Sequence, residues 1–182
     1  MTNTDADGML PMTGKSIRNI LESSREGTVN PLRQYVFSGR ERHSSSRYQN
    51  WGYPQRAIRD QNYLLIWNIK PDRWPAGAPQ AIDPDHENEL LPLYGIDQNG
   101  VHHPGWAFTD VGATPTKSYL VDNLADKEIW PFFRAAFEKN PEILLYDIKS
   151  DPDCMNNLAD DPDFAEIKKE MQQELINELK ET

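Results

Sequence analysis

Between positions 71 and 105 the chain spaces Pro71, Pro75, Pro79, Pro84, Pro92 and Pro104 through a stretch with little hydrophobic periodicity. Proline lacks a backbone donor and cannot sit in a helix interior or a central strand. This stretch therefore cannot be regular helix or sheet, and the regular structure must come from its flanks. A segment of that length without periodicity reads as an ordered excursion over the surface of something larger, which implies neighbours outside the chain.

The flanks carry clear signals. Gln34-Tyr35-Val36-Phe37-Ser38-Gly39 reads as a strand of β-branched and aromatic residues ending at glycine. Residues 40–52 form a polar, basic loop. Residues 54–60 and 63–69 read as two strands, with Asp60-Gln61-Asn62 as the turn between them. Residues 142–148 supply a further strand. Residues 14–23 have helical spacing through Ile17, Ile20 and Leu21. Residues 122–139 have it through Leu124, Ile129, Phe132, Phe133, Ala136 and Phe137, with Pro131 in an early turn. Asp161 caps a last helix with Pro162 at its first position. Phe164, Ile167, Met171, Leu175 and Leu179 form its apolar stripe. The strands and helices do not alternate regularly. The fold expected is α+β: a small antiparallel sheet packed against helices on one side, including a C-terminal helix.

A chain of 182 residues has room for one ordinary domain. The division expected is a flexible segment at 1–13 and a single domain over 14–182. Hydrophobic residues make up only 37%, so the five Trp, six Phe and seven Tyr must supply much of the core. A net charge of −10 argues against nonspecific binding to nucleic acid or an anionic membrane. Yet positions 33–73 hold seven Arg and one Lys against three acids, Glu41, Asp60 and Asp72. That belt can take an anionic ligand, or it can pair with carboxylates elsewhere in the fold. No apolar run approaches a membrane span, and residues 1–14 lack the apolar core of a signal peptide. The lone Cys154 allows no internal disulfide.

Other motif-like fragments are weak. Gly14-Lys15-Ser16 is not a phosphate loop, because position 9 is Met9 where glycine is needed. Asp83-Pro84-Asp85 and Asp160-Asp161 read as turn and cap residues, not metal ligands. His102 and His103 have no third ligand at usable spacing.

Three segments, in order, resemble the C-terminal region of sulfatases of the heparan N-sulfatase type. The most specific is Leu145-Tyr146-Asp147-Ile148-Lys149-Ser150-Asp151-Pro152 followed by Asn156-Asn157-Leu158-Ala159. Sulfatases close with a similar strand, Asp-Pro turn and Asn-Leu before the last helix. The second is Tyr53-Pro54-Gln55-Arg56-Ala57-Ile58-Arg59 with Tyr63-Leu64-Leu65-Ile66, continuing through Asn68-Ile69-Lys70-Pro71-Asp72-Arg73-Trp74-Pro75. The third is Met12-Thr13-Gly14-Lys15-Ser16-Ile17.

The resemblance implies a subdomain that packs on a sulfatase catalytic domain and lends part of the substrate-pocket rim. It places Arg40-Glu41-Arg42-His43 near that pocket, with Glu41 and His43, then Arg42, as the residues that touch a sulfated sugar. The substrate implied is N-sulfoglucosamine or a related heparan-type unit, and the parent enzyme is periplasmic, secreted or lysosomal. Such an enzyme needs formylglycine, made within Cys/Ser-x-Pro-Ser/Ala-x-Arg, and a calcium ion. Both belong to a catalytic domain this sequence does not include. Cys154 is followed by Met155-Asn156-Asn157 and does not fit the motif. The chain is therefore expected to be inactive alone. The alternative is a free-standing, non-catalytic module that binds sulfated glycan or a partner catalytic chain, using the basic loop and exposed Trp51, Trp74 and Trp106. Self-association through an exposed docking face is expected on either reading.

Overall fold

The computed structural model describes residues 14, 16–41, 48–86 and 88–181. The flexible segment expected at 1–13 lies outside them. Among the described residues four strands, β1 (Val36–Arg40), β2 (Gln55–Arg59), β3 (Tyr63–Asn68) and β4 (Ile143–Asp147), form one antiparallel sheet in the order of the sequence. The helices are α1 (Arg18–Leu21), α2 (Pro115–Asp122), α3 (Trp130–Phe137) and α4 (Ala165–Glu181). The α+β fold read from the sequence is the fold observed.

The sheet is held by one cross-strand row. Phe37 faces Ile58, Ile58 faces Leu65, and Leu65 faces Leu145. Ile58, Leu65 and Leu145 are completely buried, and α4 closes over them with Met171 and Leu175. Ile167 and Phe164 pack at the margin, while Leu179 runs out into solvent. The helix starts as expected: Asp161 accepts a hydrogen bond from the Asp163 amide at 3.0 Å, with Pro162 opening the first turn. Asp60 also does what the sequence asks of it. Its Oδ1 accepts from the amides of Asn62 and Tyr63 at 2.7 and 2.6 Å, which sets the β2–β3 turn.

The outer edge of β4 is covered by the segment that follows it. The Leu145 amide donates to Asn157 Oδ1 at 2.9 Å, and the Leu158 amide donates to the Leu145 carbonyl at 2.8 Å. Asn157 Oδ1 also accepts from the Ala159 amide at 3.1 Å. Between them Asp147 Oδ1 accepts from the amides of Lys149 and Ser150, and Asp151 Oδ2 accepts from that of Asn156. An edge that would otherwise offer open backbone groups is thus closed by its own chain.

Two expectations need correction. The proline-rich excursion does not merely lie over something larger. Residues 69–142 fold around a second core of Ala76, Ala107, Phe108, Val121, Phe133 and Phe137, with Trp74, Tyr94 and Ile96 against it. Phe108 stacks on Phe137 at 4.6 Å and on Tyr94 at 5.9 Å, and meets Phe133 edge-on at 5.8 Å. Its aromatic residues are spaced without a period because loops, not a helix face, deliver them. The helix expected over 122–139 is confined to α3, and its expected first residue, Asp122, instead ends α2, a helix that was not expected. The chain leaves α2 at Asn123, and Asp126 caps the next turn through the Glu128 amide at 2.8 Å. Both helices pack in the second core, so of the longer helices only α4 covers the sheet. The first helix shrinks to one turn, with Ile17 and Leu21 exposed. A short helix with no packed face has little to sustain it.

Leu65→Ala should lower the unfolding free energy by about 2–5 kcal/mol, because the cavity opens in the middle of the row. Asn157→Ala should cost about 1–3 kcal/mol by orphaning the Leu145 amide. Denaturant unfolding of both variants checks this, and an Asn157→Ala midpoint equal to that of the parent would refute the edge closure.

Candidate functional site

The end of the β1–β2 ladder meets the excursion at a mouth where Glu41, one of the three site residues selected from the sequence, is found. Arg40 ends β1 opposite Gln55, and its Nη2 lies 4.0 Å from Asp110 Oδ2. Glu41 follows and is exposed. Arg56 crosses from β2 to donate through Nη2 to Glu41 Oε1, while its Nη1 holds the Gln55 carbonyl at 2.8 Å. Gly39 makes room for that crossing: a Cβ there would stand 3.2 Å from Arg56 Cδ. Part of the basic belt is therefore paired with carboxylates, as the simpler reading of the belt expects. Arg42 and His43 lie outside the described residues.

Beside this mouth is a pocket of about 530 Å³, lined among others by Trp51, Asp72, Arg73, Trp74, Gln80 and Thr109. Arg73 donates through Nη1 to the Gly52 carbonyl at 2.7 Å, and its guanidinium carbon lies 4.8 Å from the Trp51 ring centroid. Trp74 meets Phe108 edge-on at 6.3 Å and has Lys139 Nζ 5.4 Å from its ring centroid. Gly77 sits at φ 90°, where a Cβ would come 3.0 Å from the Thr109 amide nitrogen. Only glycine permits that close approach of two loops. Of the three tryptophans expected on the surface, Trp51 is exposed at 47%. Trp74 and Trp106 are half-buried, the latter stacked on His103 at 3.9 Å. Loop packing covers them, which sequence alone does not reveal.

Lys117 is buried and was missed by sequence reasoning. Its ammonium donates to the carbonyls of Ala107, Phe108 and Val111 at 2.7, 3.0 and 3.1 Å. This grip holds Phe108 at φ 48°, a conformation bulky residues avoid, and so fixes Thr109 and Asp110 at the mouth. Burial pushes the amine below its ordinary value. The available signal was Thr114-Pro115, a cap followed by proline; the Thr114 hydroxyl accepts from the Lys117 amide at 3.3 Å.

The two histidines diverge. His103 Nε2 lies 3.1 Å from Asp97 Oδ2, and this contact is the first cause holding Asp97 below the usual carboxylate range. His102 is buried, with a side chain only 5% exposed and its Nδ1 3.5 Å from Asp122 Oδ1. Neither of its ring nitrogens makes a hydrogen bond. Burial lowers its pKa, opposed in part by Asp122. Neither histidine joins a set of three ligands among the described residues.

Asp83, His86 and Glu89 do form such a set, with ligand atoms within 4.8 Å of one another. These are the described residues that could hold a divalent cation. The Asp-Pro-Asp turn is formed as expected, with the Asp85 amide on Asp83 Oδ1 at 2.8 Å. The Asp83–Glu89 backbone bond brings the third residue in, so loop hydrogen bonds already account for the grouping. The three-residue spacing Asp-x-x-His-x-x-Glu was the sequence signal for it. Cys154 lies in the turn loop, and burial raises its thiol pKa. It is no activated nucleophile.

Among the described residues no helix is long and apolar enough to cross a membrane. No family model matches the sequence, and no curated protein matches it either.

An imidazole in an unfolded chain takes up its proton near pH 6.5, whereas His102 in the fold does so only at lower pH. Between those values the unfolded chain binds more protons, so acid favours unfolding. The stability from neutral His102 should be complete above about pH 6.5 and lost as pH falls through its lower folded value. Urea midpoints between pH 7.5 and pH 5 should therefore fall further for the parent than for His102→Gln. Parallel pH dependences would refute this.

Proposed function

We propose that this chain is the C-terminal part of a sulfatase acting on sulfated sugars, N-sulfoglucosamine or related heparan-type units. On this reading it supports the catalytic domain, lends it part of the pocket rim, and performs no turnover alone. One observation carries the reading. The residues that resemble the sulfatase C-terminus act as one structural device: Asn157 and Leu158 close the β4 edge, Asp147 and Asp151 shape the turn, and Asp161 starts α4. A resemblance distributed over residues that cooperate in space is better supported than one of isolated letters.

The surface is consistent with a docking role. The rows of the sheet that point away from α4 include Val36, Leu64 and Ile66, and Val36 is 69% exposed. Leu32, at 91%, and Leu21 lie exposed just before β1. Glu41, held by Arg56, presents its carboxylate at the mouth where the rim is expected. Formylglycine and calcium would both be supplied by the catalytic domain, with no ligand from this chain.

The test is to mix this chain with a separately made catalytic part of a heparan N-sulfatase-type enzyme that lacks its own C-terminal subdomain. The pair should co-elute, and sulfamate hydrolysis should rise at least tenfold over the catalytic part alone. Val36→Asp should weaken the association by placing a charge on the apolar face. Absence of both co-elution and any gain in hydrolysis would reject the proposal.

A further inference from the structure

We propose that the outer edge of β1 is an interaction surface for a second copy of this chain, the two β1 strands pairing antiparallel about Ser38 so that two sheets join into one. This pairing follows from the backbone of the sheet and does not depend on the sulfatase reading. β1 and β4 are the outer strands of the sheet. The β4 edge is closed by Asn157 and Leu158, whereas β1 has β2 alone as a neighbour among the described residues. Val36, Ser38, Gly39 and Arg40 are exposed, and only Phe37 is half-buried. A cleft of about 980 Å³ runs beside Tyr35, Val36 and Phe37, which leaves room for another strand at about 4.8 Å.

The hydrogen bonds of the hairpin fix which groups of β1 point outward. Residues directly opposite in an antiparallel pair alternate between those that exchange hydrogen bonds and those that do not. Between β2 and β3 the Asp60 amide donates to the Tyr63 carbonyl at 3.0 Å, and the Ile69 amide donates to the Pro54 carbonyl at 3.1 Å. Arg56 and Ile58, in the same phase, therefore turn their backbone groups to β3. Gln55, Ala57 and Arg59 turn theirs to β1, where they face Arg40, Ser38 and Val36. The amides and carbonyls of Phe37 and Gly39 are left on the outer side, and no other described residue pairs with them.

What this edge fits is itself. With Ser38 on a two-fold axis, Phe37 of each copy lies opposite Gly39 of the other, and their outward amides and carbonyls exchange hydrogen bonds on both sides of the axis. Phe37 meets a position with no side chain. Val36 meets Arg40 and Tyr35 meets Glu41, so no charge faces its like. Arg40 is drawn toward Asp110, and Arg56, which crosses beside Gly39, is bound to Glu41, so neither brings a free cation to the seam. α4 packs mainly on β2 and β3, one strand in from the seam. The strand has none of the features that keep edges apart: a proline, a bulge, or a charge in its middle.

In sedimentation velocity the weight-average mass of the full chain should rise from one chain toward two between about 1 µM and 1 mM, the range of a small, polar interface. Ser38→Asp places two like charges at the axis and should weaken the dimer about tenfold or more. The seam also fixes a register. Facing Ser38 residues form a pair without hydrogen bonds, their Cα atoms about 4.5 Å apart and within reach of a disulfide. Ser38→Cys in a Cys154→Ser background should therefore cross-link into a covalent dimer under mild oxidation. Val36→Cys in the same background should not, because the two Val36 positions lie about 13 Å or more apart along the strands. Ser38 and Val36 are exposed, so these changes leave the cores intact, and thermal unfolding of each variant checks this. Should Cys154→Ser not fold, Cys154 is retained and the parent chain serves as the blank. A parent that stays a single chain throughout, a dimer undiminished by Ser38→Asp, or cross-linking no better through Ser38→Cys than through Val36→Cys would overturn the proposal. Failure here would leave a complex with a sulfatase catalytic part untouched, and failure of that complex would leave the dimer untouched.

Discussion

The fold depends on a buried amide at the root of the excursion. Asn68, the last residue of β3, is completely inaccessible to solvent. Its amide nitrogen donates to the Glu142 carbonyl at 2.7 Å, its Nδ2 donates to the Pro141 carbonyl at 2.6 Å, and its Oδ1 accepts from Gln55 Nε2 at 2.7 Å. One side chain thus ties the point where the chain leaves the sheet to the point where it returns, and ties both to β2. Buried polar groups are tolerated when fully paired and are costly when not. Because the root is closed, β3 and β4 can lie side by side although residues 69–142 separate them, and the sheet keeps the order of the sequence.

The rest of the molecule divides its work around that root. The sheet and α4 form a platform of aliphatic residues, whereas the excursion builds its core mainly from aromatic ones. The two meet where Arg40 approaches Asp110 and where Arg73 reaches back to the Gly52 carbonyl. Lys117 does on the excursion what Asn68 does at its root. It gathers carbonyls that would otherwise be buried without donors, at the cost of desolvating a charge. The pocket lies where these devices converge. Its walls are loops, yet each loop is tied by a buried polar contact or a close glycine approach.

Much of the platform could be read from the sequence because its signals are local. The alternation of Gln55 to Arg59, the Asp60-Gln61-Asn62 turn and the stripe of α4 each specify their own structure within a few residues. Helix α2 was not legible in this way. Its buried residues are Lys117 and Val121, so it presents no apolar stripe, and a lysine in that position reads as solvated. The stripe from Leu124 to Phe137 predicted the burial of Phe133 and Phe137, but Phe132 and Ala136 stand exposed, and Leu124 reaches the same core from outside either helix. At the site, Glu41 was chosen by resemblance and is now seen to be held by Arg56. The Arg73–Trp51 pair went unread because its two residues are brought together by loops whose course no local rule predicts.

The sequence by itself determined the strands, their turn, the capped last helix and the basic belt. Each rests on interactions between residues close along the chain, or on counts of charge. Tertiary structure alone decided that a proline-rich stretch would have a core of its own, that Lys117 would be buried, and that Trp51, Arg73 and Thr109 would share one pocket. Those outcomes depend on contacts across long separations, where burial and the pairing of polar groups, not local propensity, select the conformation.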